Sequence, residues 1–182
     1  DYTIKIIKGD NTYDGAITIA WESESRHTIA DRNLRQETLE KSYELLEDLA
    51  YIDRQLIDIR DKATSISGKT DNKSLKKDLL VTVDEMNSIR GEILATREGR
   101  ITGQVRLRER LGDIYSGVMG YRGKPTDSQM ERLRNLEREV EEYSGKLDRY
   151  KQKELASLNK ILEKENMGTI EVISREAFMN EN

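Results

Sequence analysis

The sequence predicts a mainly α protein. It is an up-down antiparallel bundle of about four helices, with a small β element from an N-terminal hairpin and a short C-terminal strand. Three observations carry this. Charged residues make up 36 % of the 182-residue chain and hydrophobic residues only 35 %, a balance that amphipathic helices satisfy when the apolar residues are periodic. Over long stretches those residues do recur every three or four positions. The only proline, and four of the 12 glycines, fall between Leu111 and Gln129, so the helical stretches are divided by one strong break. The expected divisions are residues 1–24 for the hairpin, 25–167 for the bundle, and 168–182 for the strand and a tail.

The opening YTIKIIKGDNTYDGAITIAWE reads as the hairpin. Thr3 to Ile7 is mostly β-branched, Ala16 to Trp21 alternates as a strand does, and Gly9 to Gly15 has turn chemistry. Asp10, Thr12, Asp14 and Gly15 also fall at the first, third, fifth and sixth positions of an EF-hand loop. Trp21 stands where that loop needs its bidentate Glu, and no helices flank the segment, so a hairpin turn is the better reading.

Thr28 and Asp31 are spaced as a capping box and start the first helix. Its seam runs Leu45, Leu49, Ile52, Leu56, Ile59, Ala63 and Ile66, widened by Leu39, Tyr43, Leu46 and Ala50. Gly68 suits its C-terminal cap, giving a helix of roughly 35 residues and about 50 Å. A second helix starts at Asp71 or Asn72, carries Leu75, Leu79, Val83, Met86, Ile89 and Ile93, and ends near REGRITG. The third is short, with Leu107, Leu111, Ile114, Val118 and Tyr121 on one face; Gly120 and Gly123 end it. Gly112 and Gly117 inside it each cost about 1 kcal/mol relative to Ala, which points to close backbone packing. Pro125, with Thr126 and Gln129 as a capping box, restarts the chain as a fourth helix. That helix carries Leu133, Leu136, Val140, Tyr143, Leu147 and Tyr150. Its seam then shifts by one residue to Lys151, Leu155, Leu158 and Leu162, a stutter that changes the local winding. The helix stops near Asn166 to Gly168, GTIEVIS reads as a strand, and REAFMNEN as a tail. Short connections favour antiparallel neighbours.

Little in the chain points to chemistry, and no catalytic, cofactor-binding or metal-ligating residue is assigned. There is no cysteine, hence no disulfide or thiolate metal site. The single histidine, His27, is too few for an H-E-x-x-H zinc site or a carboxylate-bridged di-iron bundle. It reads as a solvent-facing or capping residue. Neither phosphate-loop glycine motif is present. Glu141 and Glu142 read as a solvated helix face rather than a glycosidase pair. Asn72-Lys73-Ser74 is a formal glycosylation sequon that helix capping explains equally well. Tyr43, Tyr143 and Tyr150 fall on helix seams, so core packing is favoured over a sugar-binding platform. With 31 basic and 35 acidic residues, net charge −4, no nucleic-acid partner is expected. The arginines at 100, 106, 108 and 110 read as helix surface. No apolar run is long enough to span a membrane. No signal peptide is visible, and the opening in mid-strand reads as a piece of a longer polypeptide.

The stretch GRITGQVRLRERLGDIYSGVMGYRGKPTDSQMERLRNLEREVEEY, followed by LASLNKIL, carries a resemblance. With the connector TIAWESESRHTIADRNLRQETLEKSYELLEDLAYIDRQL, it resembles the C-terminal region of large secreted bacterial proteins, common in Bacteroidetes. These carry sortilin-like or BNR-repeat β-propellers and are often described as glycosyl hydrolases or exo-sialidase-like proteins. The similarity covers nearly the whole chain, and the glycine-rich turn, PT..Q and LN..L in order are its motifs. The resemblance implies that the propeller and any glycosidase site lie N-terminal to this chain, which has no S-x-D-x-G-x-T-W box. It implies a periplasmic, cell-surface or secreted location. The partners would be a β-propeller and β-sandwich of the same polypeptide, the hairpin being a remnant of that sandwich, with a homodimer also considered. The expected function is a non-catalytic structural or interaction module. The alternatives are a self-associating coiled-coil-like scaffold and, behind it, a carbohydrate-binding or hydrolytic domain.

Overall fold

The computed structural model describes residues 1–20, 24–95 and 103–181. Strands β1 (Tyr2–Lys8) and β2 (Asn11–Ile17) form a two-stranded antiparallel sheet. Then follow α1 (Ile29–Ser67), α2 (Lys73–Ile93), α3 (Leu107–Met119) and α4 (Asp127–Tyr150). A π-helical turn (Lys151–Leu155) leads without a break into α5 (Ala156–Lys164), and α6 (Arg175–Glu181) closes the chain. Counting α4 to α5 as one, five helices pack together.

The helix boundaries follow from local hydrogen bonding. At α1 the Asp31 N–H donates to Thr28 Oγ1 (3.1 Å) and the Thr28 N–H donates to Asp31 Oδ2 (2.9 Å). The Thr28 hydroxyl donates to the same carboxylate. These bonds hold the Asp31 carboxyl below its ordinary pKa. Gly68 caps α1 as expected, but at φ −77°, so no left-handed conformation demands glycine there. Asn72 caps α2 by accepting from the N–H groups of Ser74 and Leu75. Helix α2 stops at Ile93, short of REGRITG; residues 96–102 lie outside the described residues. One carboxylate bridges this region: Glu109 Oε2 accepts from the N–H groups of Ala95 and Arg106. The Thr126–Gln129 box starts α4 as read from the sequence.

The bundle is built as three rods, each antiparallel to the one before it in the chain. Helix α1 is one, 39 residues long, about 58 Å. Helices α2 and α3 follow one another along it: Arg90 of α2 meets Asp53 at mid-length, while Arg35 near the start of α1 meets the carbonyls of Val118, Met119 and Tyr121 at the end of α3. The α4–α5 rod returns alongside. Lys41 pairs with Glu137, Lys151 with Gln55, and Glu165 receives the Asn72 amide. The seams meet between the rods. Leu45, Leu49, Leu56, Ile59, Leu79, Met86, Ile93, Leu111, Leu136 and Leu147 are all buried in one core. The seam of α1 runs further back than its large apolar residues, through Thr38 and Ser42. Both are buried, and their hydroxyls donate to the carbonyls four residues earlier, so small polar residues enter the core without unpaired groups.

Several expectations are corrected. Strand β2 begins at Asn11, because the turn is only Gly9 and Asp10, with Gly9 at φ 60°. That is a two-residue hairpin connection whose geometry needs glycine. Thr12 and Asp14 therefore lie extended along β2, opposite Ile7 and Lys5, and form no calcium loop; Trp21 lies outside the described residues. Tyr43 is 59 % exposed and Tyr121 60 %, so neither is core. Tyr150 is buried and donates to Thr82 Oγ1 (3.0 Å); burial pushes its phenol above the ordinary range. Gly112 has open space where a Cβ would be, and Gly117 faces only the Gln129 amide; close backbone packing explains neither. The stutter after Tyr150 is the π turn, in which one extra residue restores the seam at Leu155.

The largest correction is at the C-terminus. GTIEVIS is not a strand, and the tail is helix α6. Its β-like composition finds side-chain partners instead of a neighbouring strand. The Asn159 amide takes the N–H of Ile170 (2.8 Å) and donates to its C=O (3.1 Å). Asp58 accepts from the Ile173 N–H, Tyr51 donates to the Ile173 C=O, and Lys62 to the C=O of Glu171. Ile170 is buried in the core. Helix α6 then seats Phe178 against Tyr51, their rings 5.4 Å apart, while Arg175 stacks over Tyr51 and pairs with Glu47 and Asp48.

Candidate functional site

The hairpin is the part of the molecule whose surface is least accounted for by the fold. Its register sets Tyr2 opposite Ile17, Ile4 opposite Gly15 and Ile6 opposite Tyr13. Residues opposite one another share a face, and faces alternate along a strand. One face therefore carries Tyr2, Ile4, Ile6, Tyr13 and Ile17, with Gly15 among them and Lys8 and Asn11 at its turn end. The other is Thr3, Lys5, Ile7, Thr12, Asp14 and Ala16, with Lys5 opposite Asp14. Every residue of both strands is exposed. A two-stranded hairpin in water has marginal stability, and one with this alternation has the pattern of a sheet covered on one side. The C-terminal segment does not supply that cover, since it is bound along α1 and α5.

Where the connector meets the bundle, His27 and the α3–α4 turn are fitted together. The His27 ring lies edge-on to Tyr121, centroids 5.8 Å apart at 76°. A Cβ at Gly123 would come within 2.5 Å of Tyr121 and 2.7 Å of His27. Glycine is placed there by the two rings as well as by the end of α3. The sequence marks Gly123 only as a break; of the two rings that crowd it, Tyr121 is a near neighbour and His27 is nearly 100 residues away.

The charged groups flagged in the sequence are dispersed. Glu141 and Glu142 are exposed on α4. Glu141 does line a groove of about 420 Å³ with Glu137 and Asp48, but Glu137 is paired with Lys41 (2.6 Å) and Asp48 with Arg175 (2.9 Å). Arg108 and Arg110 are paired with Glu109 and Glu139; Arg100 lies outside the described residues. Asn72 of the sequon is engaged as the cap of α2. Among the described residues, no group of three or more His, Asp or Glu is placed to hold a metal ion. None of their helices is long and apolar enough to cross a membrane.

Compared with known proteins, the chain matches no family model, no curated protein and no solved structure. Its class is therefore defined by its own architecture: a helical bundle that carries an exposed, amphipathic β-hairpin.

Proposed function

We propose that the chain is a non-catalytic structural or interaction module, the C-terminal part of a larger exported β-propeller protein of the glycosyl hydrolase-like kind. In this reading the hairpin adds its apolar face to a β domain of the same polypeptide, and the helical rods fix the orientation of that domain or present a surface to a partner. The observation that carries it is the uncovered face of Tyr2, Ile4, Ile6, Tyr13 and Ile17. Burying five such side chains contributes about 1.5–3 kcal/mol each before entropic costs, enough to fix a domain contact. The dispersal of the carboxylates flagged in the sequence supports the non-catalytic part. The alternative of a coiled-coil scaffold has less support, because the long seams are already buried within the chain.

The test uses the polypeptide as its gene encodes it, alongside a version ending before Asp31. Upstream sequence with a signal peptide and S-x-D-x-G-x-T-W repeats is expected. Removing the helical body should lower thermal stability, while the isolated chain hydrolyses no candidate glycan. Ile4→Lys combined with Ile6→Lys in the full polypeptide should lower its stability but leave the melting of the isolated chain unchanged. Turnover by the isolated chain overturns the proposal, as does a truncation that changes neither stability nor activity.

A further inference from the structure

The first two turns of α1, the connector before it and the α3–α4 turn enclose a cavity of about 510 Å³. Arg32, Arg35 and Arg122 line it, with His27, Asn33 and Gln36. No Asp or Glu is among the described residues that line it. Elsewhere, Arg54, Arg60, Arg90, Arg108, Arg110 and Arg175 each pair with a carboxylate.

The arginines of the cavity are held differently. Arg35 donates through Nε to the carbonyls of Val118 (3.1 Å) and Tyr121 (2.7 Å), and through Nη2 to that of Met119 (2.8 Å). Those acceptors are neutral, so the guanidinium is fixed in place while its charge stays uncompensated; its Nη1 makes no hydrogen bond with the described residues. Arg122 makes no ion pair or hydrogen bond with the described residues. Arg32 also lines the cavity and has a partner of its own. Of the carboxylates on the nearby turns of α1, Asp31 is engaged by Thr28 and Glu40 by the Gln36 amide, and Glu37 is exposed without lining the cavity.

We infer that this cavity binds a small polar ligand bearing an oxyanion, a carboxylate or a phosphate. The guanidinium fork matches either group, and a donor already held rigid loses little entropy when it binds. The Asn33 amide can serve a hydroxyl group on the same ligand, and the volume admits a molecule the size of a sugar acid. This inference does not depend on the module reading above; it assigns a ligand site to the helical body itself.

The test titrates the intact chain with glucuronate, glucose 6-phosphate and glucose at fixed ionic strength, by calorimetry and by amide NMR shifts. At least one of the acids should bind saturably with shifts confined to residues 25–36 and 122, and which one binds identifies the oxyanion. Glucose should not bind. Arg122→Gln, which removes an exposed side chain with no internal partner, should weaken binding at least ten-fold. Asn33→Asp, which brings a carboxylate to the cavity, should do the same, and neither should change the melting temperature. Arg35 is left intact because it holds the end of α3. The inference is overturned if neither acid binds saturably, if glucose binds equally well, or if both variants bind like the parent.

Discussion

Single residues decide how the two ends of the bundle are finished. The Asn159 side chain offers Ile170 the same donor and acceptor that a neighbouring strand would offer. Asn159→Leu keeps the volume and removes both bonds, leaving a buried N–H and C=O unpaired. The expected cost is about 2–4 kcal/mol, with faster amide exchange at Ile170 and, since the segment is held as a unit, at Ile173. Unchanged exchange at Ile170 would show that packing alone holds the segment. At the other end, the Asp31 carboxyl is held below its usual range by Thr28. A carboxyl lowered in the folded state stabilises the fold above the ordinary carboxyl pKa, and that contribution is lost as pH falls through the lowered value. NMR titration of Asp31 should therefore give a midpoint below that of a free aspartate. In Thr28→Val the midpoint should return toward it, and a midpoint equal in both proteins would refute the assignment.

At the scale of elements, the sequence was informative wherever the physics is local. Both capping boxes, the Asn72 start and the alternating seams are set by neighbours within four residues, and the structure shows them where periodicity and capping place them. The errors share a cause. Tyr43, Tyr121 and the 168–174 segment depend on groups distant in sequence or on which side of a helix the neighbouring rod lies. The β-branched run at Ile170 to Ile173 reads as a strand because strands are the common use of that composition, and no local signal shows that helix side chains provide its partners. Of the cavity, His27 and the arginines were visible as residue types, but nothing in their spacing brings Arg122 to Arg35. The π turn makes the most direct element-level prediction. It is one surplus residue in an otherwise regular alternation of three and four. Deleting exposed Gln152 should convert α4 through α5 into a single α-helix with the seam intact. Far-UV circular dichroism should show an intact helical fold, and the melting temperature should stay within a few degrees of the parent. Unfolding would mean that the contact of Lys151 with Gln55 (2.7 Å) sets the register of this rod.

For the whole molecule, stability resides in the three rods and hardly at all in the hairpin. Leu49 is 1 % exposed in the core, while Tyr43, less than two turns away on α1, is 59 % exposed. Leu49→Asp should abolish cooperative melting, because an unpaired charge cannot be accommodated there. Tyr43→Asp should shift the melting temperature by only a few degrees, as surface substitutions do. Similar losses in both would mean that the Tyr43 side of the helix is packed as well.

The attachment of the last 15 residues has a consequence for the order in which the protein acquires its structure. Its contacts join Tyr51 to Ile173 and Glu47 to Arg175, more than 120 positions apart, whereas α1 and α2 meet through a five-residue connection. Closing the longer loop costs more entropy and requires both α1 and α5 to be in place. On a ribosome, the first two rods can assemble while residues 168–181 are still in the exit tunnel. The segment through Ile170 is then a late arrival, and its docking marks the completion of the fold: a nascent or truncated chain can be helical and compact while its Ile170 amide still exchanges freely.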